Sequence, residues 1–352
     1  MLKVTLGEPR MDMTSFGDTW DASWADDGNI YIQSDDSKGF IDQPPRNLQF
    51  HVLRGDRPDN LVGQTLNTMD EYGPMASRGP DGKMWKACGN TCIDGVLYMF
   101  VSRHEVDAFI DPVKKDNSRL QTAENSSLII STDKGRTWRR TAQENYDSPT
   151  FPGQRFGSPF FVKYGRDGEA DVHRADEFVY AVANDGYWEN GNDMILARVR
   201  RDRIAKLNPA DWQFHLGGDG LLDANWSPDM NQARPMMASP GKCSMTGVQY
   251  LAPLRRYIMI QWHYTKGSGH AASTETAWEF LESPAPWGPW RLFDKRLFPK
   301  VGYYNPCIAT KFISADGRSF PIFTNGDFCT GGKQGAECIY RLTVIPCSLA
   351  GG

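Results

Sequence analysis

Long apolar runs are missing from this 352-residue chain: none approaches the ~18 residues that cross a bilayer. No membrane-spanning helix is therefore expected. The opening stretch Met1-Leu2-Lys3-Val4-Thr5-Leu6-Gly7 has no apolar h-region, so no signal peptide is expected in the chain as it stands. Location stays open between the cytoplasm and, for a trimmed chain, secretion or the periplasm. A basic excess is also missing. The 39 Lys and Arg face 43 Asp and Glu, a formal net charge of −4. Such a chain has no field to hold a phosphate backbone, which excludes nucleic acid as an expected partner. Metal-ligand spacing is scarce. Seven cysteines (Cys88, Cys92, Cys243, Cys307, Cys329, Cys338, Cys347) include no CxxC pair, and the six histidines are scattered. Buried free thiols are the expectation, with a Cys329–Cys338 disulfide as the alternative for an exported protein. Helix signals are nearly absent, and one short helix is expected near Arg201–Lys206.

Turn chemistry is abundant instead. The 34 glycines and 22 prolines punctuate the chain every few residues. Between them lie short β-branched or aromatic segments such as Asn29–Gln33, Val96–Val101, Phe178–Val182 and Tyr257–Trp262. Many short strands between turns predict an all-β fold. Aromatics make up 12% of the chain, ample surface to bury, so the chain is not disordered. A phrase also repeats: a polar start, an apolar strand, a turn, a return strand and a polar cluster. The return strands carry Tyr31, Tyr98, Tyr180, Tyr257 and Phe320. Their spacing is roughly 70 residues, longer than the ~40–50 of a minimal propeller blade. Five sheet-forming units without a helical layer predict one five-bladed β-propeller spanning residues 1–352, with a β-sandwich as the alternative. Ser131-Thr132-Asp133-Lys134-Gly135-Arg136-Thr137-Trp138 matches the S-x-D-x-G-x-T-W pattern of the Asp box. That hairpin is read as structural.

In a propeller the first strands line the axis, so the polar ends of five hairpins converge on one funnel. These ends carry Asp18, Asp21, Asp35 and Asp36, then Lys86, Arg103, His104 and Glu105. Ser158, Asn184, Asp185 and Glu189 follow, then His263, and lastly Asn305, Asn325 and Asp327. A carboxylate-rich funnel is what glycoside hydrolysis needs: one carboxylic acid protonates the leaving oxygen, and a carboxylate acts as base or nucleophile. Asp21 is the first candidate, because Trp20 and Trp24 could desolvate it, and Asp18 competes with it. Asp185 is preferred as the acid, ahead of Glu189 and Glu105. Candidate substrate contacts are Trp20, Asp35, Lys86, Arg103, His104, Asn184, Trp188, His263, Tyr304, Asn305 and Asp327. Trp262, Tyr187, Tyr264 and Tyr303 also lie near the rims as sugar platforms. No cofactor is expected. The acidic rim would permit a structural calcium ion on the axis, although no EF-hand-like loop is present.

Four phrases resemble the proteins called domain of unknown function 4185: Asp18–Gly28, Asn192–Val199, Trp287-Gly288-Pro289-Trp290 and Gly302-Tyr303-Tyr304-Asn305-Pro306. Some members of that family are endo-D-arabinanases, so the resemblance implies a glycosidase of furanoside or arabinan type. The wider resemblance is to five-bladed enzymes of glycoside hydrolase family 43. It implies a general-base Asp at the start of the first inner strand, which Asp21 matches. It also implies a Glu acid from the third blade, where this chain offers Asp185 and Glu189. The expected substrate is a polysaccharide or oligosaccharide. Competing readings are a sialidase-like exo-hydrolase, for which Arg103 is the clear rim arginine, and a polysaccharide lyase using His104 or His263. The non-enzymatic reading is a carbohydrate-binding propeller.

Overall fold

The computed structural model describes residues 2–110, 119–169, 177–218, 225–265, 275–299, 302–327 and 339–351. Two short strands come first, β1 (Lys3–Leu6) and β2 (Arg10–Met11). An antiparallel run follows: β3 (Ser15–Trp24), β4 (Ile30–Phe40), β5 (Arg46–Arg54) and β6 (Val62–Asn67). A second run holds β7 (Met84–Ile93), β8 (Val96–Ile110) and β9 (Arg119–Ser131). Next are β10 (Phe160–Lys163), β11 (Phe178–Asn184), β12 (Gly191–Arg200), β13 (Trp212–His215) and β14 (Trp226–Ser227), with β15 (Met237–Cys243) paired to β12. Then come β16 (Val248–Leu251), β17 (Arg256–Tyr264), β18 (Thr276–Ser283) and β19 (Arg291–Phe298). Last are β20 (Cys307–Ile308), β21 (Ser319–Thr324) and β22 (Thr343–Ala350).

Among the described residues these strands form four sheets. The largest divides into two antiparallel runs, β10–β14 and β16–β19, joined where β10 and β16 pair in parallel. β1 and β2 both pair with β22, so the last sheet is completed by residues from the start of the numbering. The molecule is nearly all-β. Helix is limited to little more than α1 (Ala142–Asp147) and a few 3-10 turns. The segment expected as a helix, Arg201–Lys206, is a turn followed by one 3-10 turn over Ile204–Lys206. The helix that forms, α1, starts at a capping box in which Thr141 and Glu144 bond each other's backbone. No helix among the described residues is long and apolar enough to cross a membrane.

Local sequence explains the hairpins. Ile93 and Val96 pair across Asp94-Gly95, whose φ values of 52° and 76° are those of a type I′ turn. Asp133 accepts from the Thr137 amide (2.9 Å) and the Ser131 hydroxyl (2.8 Å), and Trp138 meets Phe50 edge-on at 4.9 Å. Successive first strands lie close together. Glycine at 89 permits this, since a Cβ there would sit 2.5 Å from the Phe160 Cα. The described cysteines, Cys88, Cys92, Cys243, Cys307 and Cys347, are buried free thiols. Cys329 and Cys338 lie outside the described residues.

Candidate functional site

A cavity of about 190 Å3 opens where several of the runs meet. Its floor takes Asp18 and Thr19 from β3, Asp36 from β4, and Met84 and Lys86 from β7. His104 of β8, Gln121 of β9 and the loop pair Trp188 and Glu189 form one side. Trp262 and Tyr264 of β17, together with Tyr304 and Tyr340, complete it. It is therefore an aromatic-walled pocket holding three carboxyl groups and one ammonium.

The position of Asp18 follows from a break in strand parity. The β3–β4 register shifts between Asp18 and Asp21, and Thr19 takes a left-handed φ of 53°. A bulge of this kind re-aims the side chains on either side of it. The Asp18 carboxyl accepts the Tyr304 phenol at Oδ2. Its Oδ1 is buried and has no hydrogen-bond partner among the described residues. Burial, opposed by Lys86 and reinforced by Asp36, lifts its pKa to about 7. Below it, Asp35 accepts the Thr19 hydroxyl (2.7 Å) and the Ala87 amide (2.8 Å), tying the first run to the second. Burial also holds Asp35 well above the usual carboxylate range.

Glu189 comes from another run of strands, on the loop between β11 and β12. Its neighbours hold that loop. The Trp188 amide donates to the Gln121 carbonyl (2.9 Å), and the Trp188 carbonyl accepts from Met245 (3.2 Å). Asn190 exchanges hydrogen bonds with the Tyr264 backbone at 2.8 and 3.0 Å. Glu189 is 1% exposed, and its Oε1 has no partner among the described residues. Burial alone pushes its pKa up to about 8, so the carboxyl is protonated at neutral pH. Tyr264 and Tyr304 stay neutral phenols, raised first by burial and then by Glu189 or Asp18.

Lys86 supplies the positive charge. Its Nζ lies 2.7 Å from Asp36 Oδ1, and the side chain is 4% exposed. Burial opposes the charge, but Asp36, Asp35 and Asp18 outweigh it and hold the ammonium protonated. His104 Nε2 faces Gln121 Oε1 at 2.8 Å, and its ring packs on Trp188 at 4.6 Å. Trp262 donates to the Met245 carbonyl (2.9 Å) and packs against Tyr304 at 5.6 Å.

Of the residues expected from the sequence, this cavity brings together Asp18, Asp36, Glu189, Lys86, His104, Trp188, Trp262, Tyr264 and Tyr304. Asp21 lies elsewhere. Its Oδ1 meets the Lys163 ammonium at 2.6 Å and its Oδ2 accepts the Asn90 amide at 2.8 Å. It lines a separate space of about 20 Å3 among β10, β16 and residues 306–308. There Lys163 also reaches the Ala22 carbonyl (2.6 Å), so an ammonium lies where first strands converge. Asp185 is taken up by Asn192, accepting from its amide (2.9 Å) and side chain (2.8 Å). Glu105 of β8 lies opposite Thr122 of β9 and does not line the cavity. Trp20 is wholly buried against Phe40 and His51 and offers no face to a sugar. Arg103 forks onto Asp81 (2.6 and 3.0 Å) and stacks on Trp85.

The other expected contacts do not line this cavity. Asn184 bonds the Cys243 carbonyl (3.0 Å). His263 is buried opposite Ala277, and burial drops its pKa to about 4. Asn305 is buried at a left-handed φ of 50°, and Asp327 bridges to Gly302. The sequence reading had no signal for Gln121, Met84 or Tyr340. Gln121 sits on a third strand, and Tyr340 follows a long connection after β21.

No family model matches the chain, and no curated protein matches it. Solved structures do. A protein of Bacteroides ovatus ATCC 8483, provisionally called a hydrolase, is 16% identical with a TM-score of 0.55, covering 94% of this chain and 85% of its own. An alpha-L-arabinanase mutant from Cellvibrio cellulosa is 12% identical with a TM-score of 0.48, covering 94% and 90%. A structure called RS223-Beta-xylosidase is 14% identical with a TM-score of 0.47, covering 96% and 94%. The likeness to the Bacteroides ovatus protein is one of fold.

Proposed function

We propose that residues 1–352 form one five-bladed β-propeller and that it is a glycoside hydrolase acting on a polysaccharide or oligosaccharide. Five successive antiparallel runs, with contacts between β3 and β7, β7 and β10, β10 and β16, and β20 and β3, and with the last run closed by β1, support the blade count. One observation carries the function. Two buried carboxyl oxygens, Asp18 Oδ1 and Glu189 Oε1, have no partner among the described residues and belong to one aromatic-walled cavity. Leaving such groups unbonded costs a folded protein about 1–3 kcal/mol each. They are explained if a substrate or water completes them.

Hydrolysis then follows from the two environments. Glu189, protonated at neutral pH, gives its proton to the glycosidic oxygen, which leaves as an alcohol. Asp18, beside Lys86, is the carboxylate that supports attack at the anomeric carbon. The hydroxyl of water ends on the sugar, and its remaining proton restores the carboxyl pair. Trp188, Trp262 and the three tyrosines offer flat faces to sugar C–H bonds. Furanosides of arabinan type head the panel to be tried.

The experiment is a screen of the purified protein on neutral and acidic polysaccharides, read by release of reducing ends. Glu189→Gln and Asp18→Asn are expected to cut turnover by about 10²–10⁴-fold while a product sugar still binds. Binding without turnover by the unaltered protein would make it a carbohydrate-binding propeller. Unsaturated uronate products would make it a lyase.

A further inference from the structure

Asp18 and Glu189 pose a problem of symmetry. Both are buried in the same cavity, both keep one carboxyl oxygen unbonded, and burial pushes both toward the neutral form. Acid–base chemistry needs them to differ. The cavity contains one difference in charge. Among the described residues that line it, Lys86 is the only lysine or arginine, and it sits on the Asp18 side.

The ammonium is held there by the fold. Lys86 lies in β7 opposite Ser102, and the next residue, Ala87, donates its amide to Asp35 (2.8 Å). Asp35 in turn takes the Thr19 hydroxyl, next to Asp18 in the chain. Lys86 Nζ is anchored on Asp36 at 2.7 Å, so the flexible stem ends at a fixed point. The groups acting on Asp18 are Lys86 from β7, Asp35 and Asp36 from β4, and the phenols of Tyr304, Tyr264 and Tyr340. Glu189 has no such cation. What acts on it is its own burial, and Tyr264 is the phenol that feels its charge.

We propose that Lys86 is the positioning residue that divides labour in this cavity: its ammonium, anchored on Asp36, favours the ionised form of Asp18, the base, and leaves Glu189 to carry the proton. The inference rests on the hydrolase reading for the words base and acid. The electrostatic claim itself does not. Removing an opposite charge that acts on a carboxyl moves it by about 1–3 pH units, and removing Lys86 leaves Asp36 without its ammonium in the cavity that Asp18 shares. Both effects push Asp18 toward the protonated form, so both cavity carboxyls would become acids.

The test is a carboxyl-carbon NMR titration of the full chain labelled at aspartate and glutamate, with Asp18 and Glu189 assigned through D18N and E189Q. In Lys86→Met the Asp18 midpoint is expected to rise by about one pH unit or more, a tenfold or greater gain in proton affinity. The Glu189 midpoint is expected to stay within about half a unit, well short of the ~1–3 units of a lost opposite charge. Lys86→Arg, which keeps the charge, should return Asp18 toward its original midpoint. A folded Lys86→Met in which Asp18 does not move, or moves together with Glu189, overturns the proposal. Should Lys86→Met fail to fold, Lys86→Gln removes the same charge while keeping a hydrogen-bond donor toward Asp36. The Asp18 midpoint must again rise, and no rise overturns the proposal. No turnover enters these titrations. A protein that hydrolyses nothing on the panel sinks the functional reading while leaving the Lys86 result standing, and the reverse holds equally.

Discussion

Replacing Glu189 with glutamine keeps the shape of a protonated carboxyl and removes its titration, which turns the buried acid into a measurement. Glu189 is 1% exposed, and burial moves its pKa from the ordinary 4.5 to about 8. Below pH 4.5 the folded and unfolded chains both hold this proton. Between pH 4.5 and about 8 the unfolded chain has released it while the folded chain keeps it. Stability therefore falls as pH rises, by about 1.4 kcal/mol per pH unit from this group alone. The loss accumulates to roughly 4 kcal/mol by pH 8 and then levels off. Glu189→Gln escapes that slope. Urea denaturation of both proteins at pH 5, 6, 7 and 8 isolates the group, because every other titration cancels in the difference. The variant should match the parent near pH 5 and exceed it by several kcal/mol at pH 8. A difference that stays flat across this range, or a variant less stable at pH 8, would refute the claim that Glu189 is a buried neutral acid.

Other outcomes follow from the same geometry. Lys163→Met leaves the Asp21 carboxylate buried without its ammonium and should cost about 3–5 kcal/mol in chemical denaturation. Asp185→Asn should leave turnover within a few-fold, since Asp185 serves Asn192 and not the cavity; stability should drop by about 1 kcal/mol. Thr141→Ala removes the capping box of α1 and should lower stability by about 1 kcal/mol without touching activity. The pH profile of hydrolysis should rise as Asp18 ionises, near pH 7, and fall as Glu189 loses its proton, near pH 8; a plateau from pH 5 to 10 would contradict both assignments.

The sheets were legible because their signals are local. Asp94-Gly95 between alternating strands needs only two residues with positive φ, and the sequence carries them. The cavity was half legible. Lys86, His104, Trp188 and Tyr304 sit where hairpin ends predict them, and so does Asp18. The choice between Asp18 and Asp21 was not legible, because a bulge at Thr19 changes which side chains share a face, and parity cannot be counted through it. Which of Asp185 and Glu189 lines the cavity was not legible for a related reason. Both lie in an irregular loop whose path is set by Gln121, Met245 and Tyr264, all distant in sequence. Thr141 and Glu144, by contrast, spell out a helix start within four residues of sequence.

The pairing of Lys3–Leu6 with Cys347–Ala350 makes synthesis order matter. A ribosome releases the first of these segments long before the second exists. Until then Val4 and Leu6 have no mate, and the edge they will cover stays open to other chains.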